Sequence, residues 1–402
     1  MNADALTLGY VVLGVAALAL LPALFASLRL GALAFFSVFH LKTRPRENPS
    51  AKIAIIVYAH NQEFFIEKVV REIMMSIKYP QELFDVVVLA DNCDDSTAYI
   101  ASFAGAKVLE RSDRIEEGRH RALEWAFAKL MSEEYDAFLL SDIEATMHPK
   151  TLGVVDAALA NGALAMRLPF RVIRADESWR ARLDDVAEAA GKWVVPRGES
   201  VLGLSAGLPP TGFCLARTLL REIPYQAFST AEYEDYHVRL VLTGERVVFL
   251  RGAELESRNP LASSEVARRS KERENAMRSV VGRKAGDIVR AALAFDRKAF
   301  ECLCAAASPS LSAIGAVLAV VFGAGALLAF GGASLPSCEP LIFPAVLIMA
   351  ASLLGALALA FHLAVAVFEG GLPLSTWPIL LLAPLRVLEN VAGGFGRNAD
   401  AR

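Results

Sequence analysis

Asp142 and Glu144 stand one residue apart at the end of an apolar run, in the stretch FLLSDIE over residues 138–144. The run reads as a buried strand, and in an extended chain residues i and i+2 point to the same side. Both carboxylates can then reach one hard divalent ion, which prefers oxygen ligands. A buried strand that ends in such a pair suits a ligand of concentrated negative charge, such as a nucleotide diphosphate.

The triplet alone is common by chance, so its setting matters. Residues 52–58 (KIAIIVY) are β-branched and apolar, and then turn polar at Ala59-His60-Asn61-Gln62-Glu63. Residues 84–90 (FDVVVLA) form a second buried run, ending in Asp91-Asn92-Cys93-Asp94-Asp95. Helical spacing covers residues 64–76 and 118–130, and Ser96 is placed to cap a helix that runs to about Ala104. Residues 107–109 read as a short strand, and the run over residues 135–141 as a longer one. Strands alternating with helices predict a mainly parallel sheet with helices on both faces. Ligands of such open sheets bind beyond the carboxyl ends of the strands. Three of those ends carry polar or acidic clusters: His60 to Glu63, Asp91 to Asp95, and Asp142 to Glu144. No G-x-G-x-x-G follows the first strand and no Walker A sequence occurs, so metal is the expected route to any phosphate.

The 402 residues are 54% hydrophobic, with a mean hydropathy of +0.40. The excess is concentrated in residues 5–28, 305–335 and 341–368, each at or above the ~18–20 apolar residues needed to cross a bilayer. The first run is too long for a signal-peptide core, and Asp4 makes its leading flank acidic. Lys42, Arg44 and Arg46 follow the first span, and Arg290, Arg297 and Lys298 precede the second. The connector at 331–340 has no Lys or Arg. Basic flanks stay on the cytoplasmic side. The middle, about residues 41–300, is therefore expected in the cytoplasm. The N-terminus and the connector are expected outside. Residues 372–386 are too short to span and carry Pro378 and Pro384, which fits an interfacial piece. The five cysteines show no zinc spacing. Cys93, Cys214, Cys302 and Cys304 are expected as thiols on the reducing side, with Cys338 alone outside. Between 266 and 298 lie ten Lys and Arg with apolar residues between them, a pattern that reads as a helix on an anionic leaflet. The net charge of −3 averages over two environments and says little, and no nucleic-acid partner is expected.

The order AHNQE, ADNCDDST, GRHRAL, LLSDIEATMHP, PTGFCLAR and an acidic patch from Glu232 to Asp235 resembles membrane-bound family 2 glycosyltransferases of the GT-A fold, over about residues 50–260. The resemblance implies an α/β GT-A nucleotide-diphospho-sugar transferase domain flanked by transmembrane helices. It implies one N-terminal span (1–40), the GT-A domain (41–260), basic interfacial helices (261–303), and two C-terminal spans with a short interfacial segment (304–402). By the same resemblance His60, Asn61, Glu63 and Asp91 line the donor nucleotide. Asp142 and Glu144 match the metal-binding D-x-D pair, with Mg²⁺ or Mn²⁺ as the ion. Residues 211–213 match an acceptor-side loop.

The implied activity is an inverting transfer of a sugar from a nucleotide diphosphate sugar. The acceptor would be a lipid or polysaccharide at the cytoplasmic face of a bacterial inner membrane, in surface or exopolysaccharide assembly, with companion assembly proteins as partners. Such a transfer needs a base for the acceptor hydroxyl. The family's aspartate falls on Tyr233, so the base lies among Asp235, Glu232 and Glu234, with Asp235 favoured. Arg273 is the nearest match to the family's downstream diphosphate-neutralising arginine, without its Gln and Trp. Gln62 and Arg119 replace a commoner Glu and Lys. These departures leave an alternative: a weak or inactive GT-A-fold partner subunit that binds nucleotide or a companion enzyme.

Overall fold

The computed structural model describes residues 2–113, 115, 118–171, 178–226, 231–257, 263–334, 336–373 and 375–382. The chain divides into two compact units: Met1–Phe39, Glu177–Gly198 and Ala307–Arg402 form one, and His40–Asp176 with Glu199–Ala306 form the other.

The first unit is built on helices α1 (Asn2–Ser37), α13 (Leu311–Ser334) and α14 (Ile342–Glu369). Among the described residues these contain the three segments long and apolar enough to cross a membrane. Their directions are fixed by close contacts at glycines. A Cβ on Gly9 would meet Leu341, and one on Gly31 would meet Ala358 at 3.2 Å, so α1 and α14 run parallel. A Cβ on Gly325 would meet Met349 and Ala345, and one on Gly355 would meet Leu318, so α13 runs the other way. Small residues let helix backbones approach where the hydrophobic effect gives no drive between apolar helices.

Helix α6 (Trp179–Ala189) belongs to the same unit and passes through a π-helical turn at Ala190–Val194 into α7 (Val195–Val201). Val186, Ala190 and Val194 pack with Ala34 of α1 and with Val365, Ala366 and Val367 of α14. The sequence expectation placed these residues inside the GT-A domain. Their apolar face is instead completed by the ends of two long helices. Here too Arg197 pairs with Glu369, both buried, and lies over the Trp193 ring at 5.3 Å.

The second unit is an α/β sandwich. Its main sheet takes β1 (Ile53–Ala59), β2 (Phe84–Asp91), β3 (Lys107–Arg111), β4 (Ala137–Asp142), β6 (Ala165–Arg167), β8 (Phe213–Ala216) and β9 (Val247–Phe249). The order is β3-β2-β1-β4-β8-β6-β9. The first four strands are mutually parallel, while β8 is antiparallel to both β4 and β6. A small second sheet joins β5 (Ala145–Met147), β10 (Leu255–Ser257) and β7 (Phe170–Arg171).

Alternation in β1 explains its all-apolar sequence. Ile53, Ile55, Val57 and Ala59 face one core with α2 (Ile66–Ser76), α3 (Thr97–Phe103) and α5 (Thr151–Ala160). Ala54 and Ile56 face the other, with α4 (Arg119–Leu130), α8 (Arg217–Glu222) and α9 (Glu232–Leu242). A strand buried on both faces has no polar side to show. Helices α10 (Ser263–Arg283), α11 (Ala285–Leu293) and α12 (Arg297–Ala307) follow, with Val280, Val281, Ile288, Ala299 and Cys302 against Val238 and Val241 of α9.

Candidate active site

Parallel pairing sets Tyr58 of β1 beside Leu89 of β2 on one side and Asp142 of β4 on the other. The three strand ends therefore open onto one edge of the sheet, as expected. The loop after β1 and the loop after β2 are tied to each other. His60 Nδ1 lies 2.8 Å from the Asp91 carbonyl oxygen, and Asn61 Oδ1 accepts the Asp94 amide at 2.9 Å. Asn61 and Asn92 both take left-handed backbone, at φ 51° and 49°. Asparagine tolerates that region because its short polar side chain bonds locally. Glu63 is part of the same tie: its amide donates to Asp95 and its carboxylate accepts the Ser96 amide, both at 3.1 Å. The Ser96 hydroxyl does not cap α3. Asp95 does that work, accepting the Thr97 amide at 3.0 Å.

Asp91 is 2% exposed and fully engaged. One carboxylate oxygen takes Arg111 Nη1 at 2.8 Å, and the other takes the Tyr58 hydroxyl at 3.3 Å. Arg111 reaches on to Asp113 at 3.2 Å. Burial and the Asp91 carboxylate push the Tyr58 hydroxyl up to about 12. Asp91 thus stiffens the strand ends beneath the loops that His60 and Asn61 occupy.

Asp142 is the last residue of β4, but Glu144 does not continue the strand. The chain turns at residues 143–144 and restarts as β5 at Ala145. The i, i+2 geometry expected for an extended pair is therefore replaced by a turn, in which the Glu144 amide lies 3.4 Å from Asp142 Oδ1. The other oxygen, Oδ2, takes Arg119 Nη1 at 3.2 Å. Arg119 lies over the Tyr58 ring at 5.4 Å, and its Nε and Nη2 have no hydrogen-bond partner among the described residues. Sequence reasoning noted Arg119 only as a replacement for lysine. Its signal is Gly118, whose φ of 111° starts α4 with Arg119 as the first residue.

Helix α9 brings the acidic patch to the site and then distributes it. Glu234 pairs with Arg273 Nε at 3.3 Å, and Asp235 pairs with Lys284 Nζ at 3.0 Å. Arg273 also donates to the Leu208 carbonyl at 2.8 Å. Glu232 and Tyr233 both lie within the electrostatic reach of Arg119, and Tyr233 also within that of Asp142. Burial raises the Glu232 carboxyl above the ordinary glutamate range, against the lowering effect of Arg119. The Tyr233 hydroxyl faces that carboxylate without a well-formed hydrogen bond. Of the three acidic candidates, Glu232 is the one that shares with Asp142 the electrostatic reach of Arg119 and Tyr233.

The acceptor-loop residues enter β8. Gly212, at φ 74°, donates to the Leu140 carbonyl at 3.0 Å and accepts the Leu168 amide at 2.7 Å. This docks Thr211 and Phe213 alongside β4.

Among the described residues, no three His, Cys, Asp or Glu side chains gather as a metal cluster. Mg²⁺ and Mn²⁺ do not need one, since one or two carboxylates with substrate phosphates complete their shell. Asp142 Oδ1 has only the long amide contact, and both carboxylates are partly accessible. The residues present therefore fit such an ion.

No protein-family profile matches the chain. A probable glycosyltransferase of Bacillus subtilis, YdaM, is 22% identical over 221 residues, which is 53% of this chain and 52% of that protein. The chain thus matches about half the length of this curated relative. A mannosyltransferase from Pyrobaculum calidifontis, solved with GDP-mannose and Mn²⁺, superposes with a TM-score of 0.53 at 18% identity, over 86% of this chain and 98% of that one. The fold is of the GT-A type. Within a GT-A sheet, the edge that carries Asp142, Arg119 and Glu232 is the carboxyl edge of the parallel strands, where ligands of open α/β sheets bind.

Proposed function

We propose that the protein is a membrane-anchored inverting glycosyltransferase. It moves a sugar from a nucleotide diphosphate sugar to a hydroxyl on a membrane-associated lipid or polysaccharide. The observation that carries this reading is the Asp142–Arg119 ion pair at the open edge of the parallel strands, with the buried Glu232 inside the electrostatic reach of Arg119. Asp142 and Glu144 would hold Mg²⁺ or Mn²⁺, which when bound supplies positive charge to a departing diphosphate. The loops of His60, Asn61 and Glu63, braced by Asp91, form the donor wall. Arg273 and the acidic pair Glu234 and Asp235 hold α9 in place.

Glu232 serves as the base. The acceptor O–H proton passes to its carboxylate, the new C–O bond forms at the sugar, and the sugar–phosphate bond breaks to release a nucleoside diphosphate. Burial suits the role, because a carboxylate raised toward neutral pH is a stronger base and is still ionised at the working pH. The basic flanks of the three candidate spans support a cytoplasmic active site in an inner membrane.

The test is nucleoside diphosphate release from common donor sugars by the full chain in nanodiscs, with membrane extract as a source of acceptor. Release by wild type and its loss in Asp142→Ala support the enzyme. No release by wild type, together with retained nucleotide binding, supports the non-catalytic partner instead.

A further inference from the structure

Phe295 takes left-handed backbone, at φ 64°. Among the described residues the other non-glycine positions of positive φ are Asn61 and Asn92. Asparagine tolerates that region, whereas a bulky side chain there is strained. The corner between α11 and α12 imposes the strain. The Phe295 amide donates to the Ala292 carbonyl at 3.0 Å, and the Asp296 amide to the Ala291 carbonyl at 3.1 Å. These are the two bonds of a Schellman cap, which ends a helix on a left-handed residue that is usually glycine. Asp296 then opens α12, its carboxylate accepting the Lys298 amide at 2.8 Å. A glycine would turn the same corner without strain.

Packing does not offset the strain, because Phe295 is 92% exposed. Leu293 is 76% exposed, and Val289 and Phe300 are exposed too. The inner sides of the two helices are packed: Ile288, Ala299 and Cys302 share a core with Val238 and Val241 of α9. The outer side of a surface helix is ordinarily polar. Here it is apolar around a strained apex, and a strained residue with no contact to hold it points to a partner outside the fold.

The charges around the apex say which partner. Arg290 and Arg297 are exposed on either side of it in the chain. Arg290 meets Asp287 at 3.7 Å, a solvated pairing of little strength. Lys284 and Lys298 are drawn inward instead, to Asp235 and to the Gly244 carbonyl. The basic run that the sequence spreads over residues 266–298 is thus divided, and the corner is where cations and large apolar side chains are exposed together. Helix α12 ends at Ala307, and α13, long and apolar enough to cross a membrane, starts at Leu311.

We propose that the α11–α12 corner is a docking site for anionic phospholipid. Phe295 and Leu293 enter the boundary between headgroups and acyl chains, and Arg290 and Arg297 meet the lipid phosphates. The proposal goes beyond the glycosyltransferase reading and does not depend on it.

The experiment places an indole at the corner of the full chain in nanodiscs, as Phe295→Trp and, on ordinary helical backbone, as Leu293→Trp. Emission is read as the difference from wild type, which has four tryptophans of its own. The discs are phosphatidylcholine with or without phosphatidylglycerol, and the acyl chains are brominated or plain. In anionic discs the added emission is expected to shift to the blue and to be quenched by brominated chains. Adding Arg290→Gln and Arg297→Gln should lower the inserted-to-free ratio roughly fivefold for each arginine lost, and neutral discs should do the same. Solvent-like emission without quenching, at both positions in anionic discs, overturns the proposal. Equal quenching in neutral discs and in the arginine variant overturns the anionic assignment. An indole shielded from water but untouched by brominated chains places protein against the corner, and overturns the lipid site. Nucleoside diphosphate release plays no part in these readouts, so failure of the enzyme reading leaves them unchanged.

Discussion

Glu232 and Asp235 are three residues apart in α9, yet they meet different partners. Asp235 is held by Lys284 at 3.0 Å, whereas Glu232 shares the field of Arg119 with Asp142. The sequence shows an acidic helix start and a charged cluster that must do something. It does not show which carboxylate faces inward, because Lys284 is 49 positions downstream and the pairing is purely tertiary. Glu232→Gln is expected to lower turnover about 10²–10⁴-fold, the usual range for a lost general base. Donor binding should persist, as measured by nucleotide-dependent stabilisation. The raised Glu232 carboxyl also fixes a pH sign. As the proposed base Glu232 works in its ionised form, so activity is expected to climb with pH through a value above the ordinary glutamate range. Stability runs the opposite way: the folded state holds this proton more tightly than the unfolded one, so Glu232 contributes stability that is lost as pH rises through its folded pKa. An acid limb of kcat/KM that persists unchanged in Glu232→Asp and Glu232→Gln would remove Glu232 from the role. Asp91 tests differently. Arg111→Ala strands a buried carboxylate and should cost about 3–5 kcal/mol of stability, read from denaturant midpoints.

At the scale of elements, the long buried strands were legible. Residues 52–58, 84–90 and 135–141 are dense in β-branched and apolar side chains, and each lies within two residues of an observed strand. Strands of two to four residues were not legible. Residues 211–213 match an acceptor-side loop, but Phe213 already opens β8 (Phe213–Ala216), which pairs antiparallel with β4 and β6. So short a segment has no period of its own, and its neighbours decide its state. Glu144 shows the same limit, since a strand pattern cannot announce the residue at which the strand ends. Gly118 is the element-level device that aims Arg119. At φ 111° it occupies a backbone region that side-chain-bearing residues avoid, and a Cβ there would lie 2.7 Å from His120 Cε1. Gly118→Ala should therefore destabilise by about 1–2 kcal/mol through the backbone alone. It should also lower transfer activity by disturbing the first turn of α4. Adding His120→Ala removes the clash but not the backbone strain. Full recovery of the unfolding midpoint in the double variant would show that sterics, and not φ, set the cost.

For the whole molecule, the basic flanks and the helix directions make independent statements that agree. Lys42, Arg44 and Arg46 follow α1, and Arg297 and Lys298 precede α13, whereas residues 331–340 have no cation. The glycine contacts make α1 parallel to α14 and antiparallel to α13. Three spans with those directions put residue 40 and residue 306 on one side and the 331–340 connector on the other. The charge bias supports the proposal that the first of these sides is the cytoplasm. The cysteines turn this into a measurement. Cys93, Cys214, Cys302 and Cys304 belong to the second unit, and Cys338 falls in the connector. In right-side-out vesicles, a membrane-impermeant maleimide should label the chain only at Cys338, and Cys338→Ser should abolish the labelling. In inside-out vesicles Cys338 should be protected, and the part-exposed Cys93 should react, because Cys214, Cys302 and Cys304 are buried. Labelling of Cys93 from outside would invert the topology. A nucleotide sugar made in the cytoplasm could then not reach Asp142, and the proposed reaction would lose its donor.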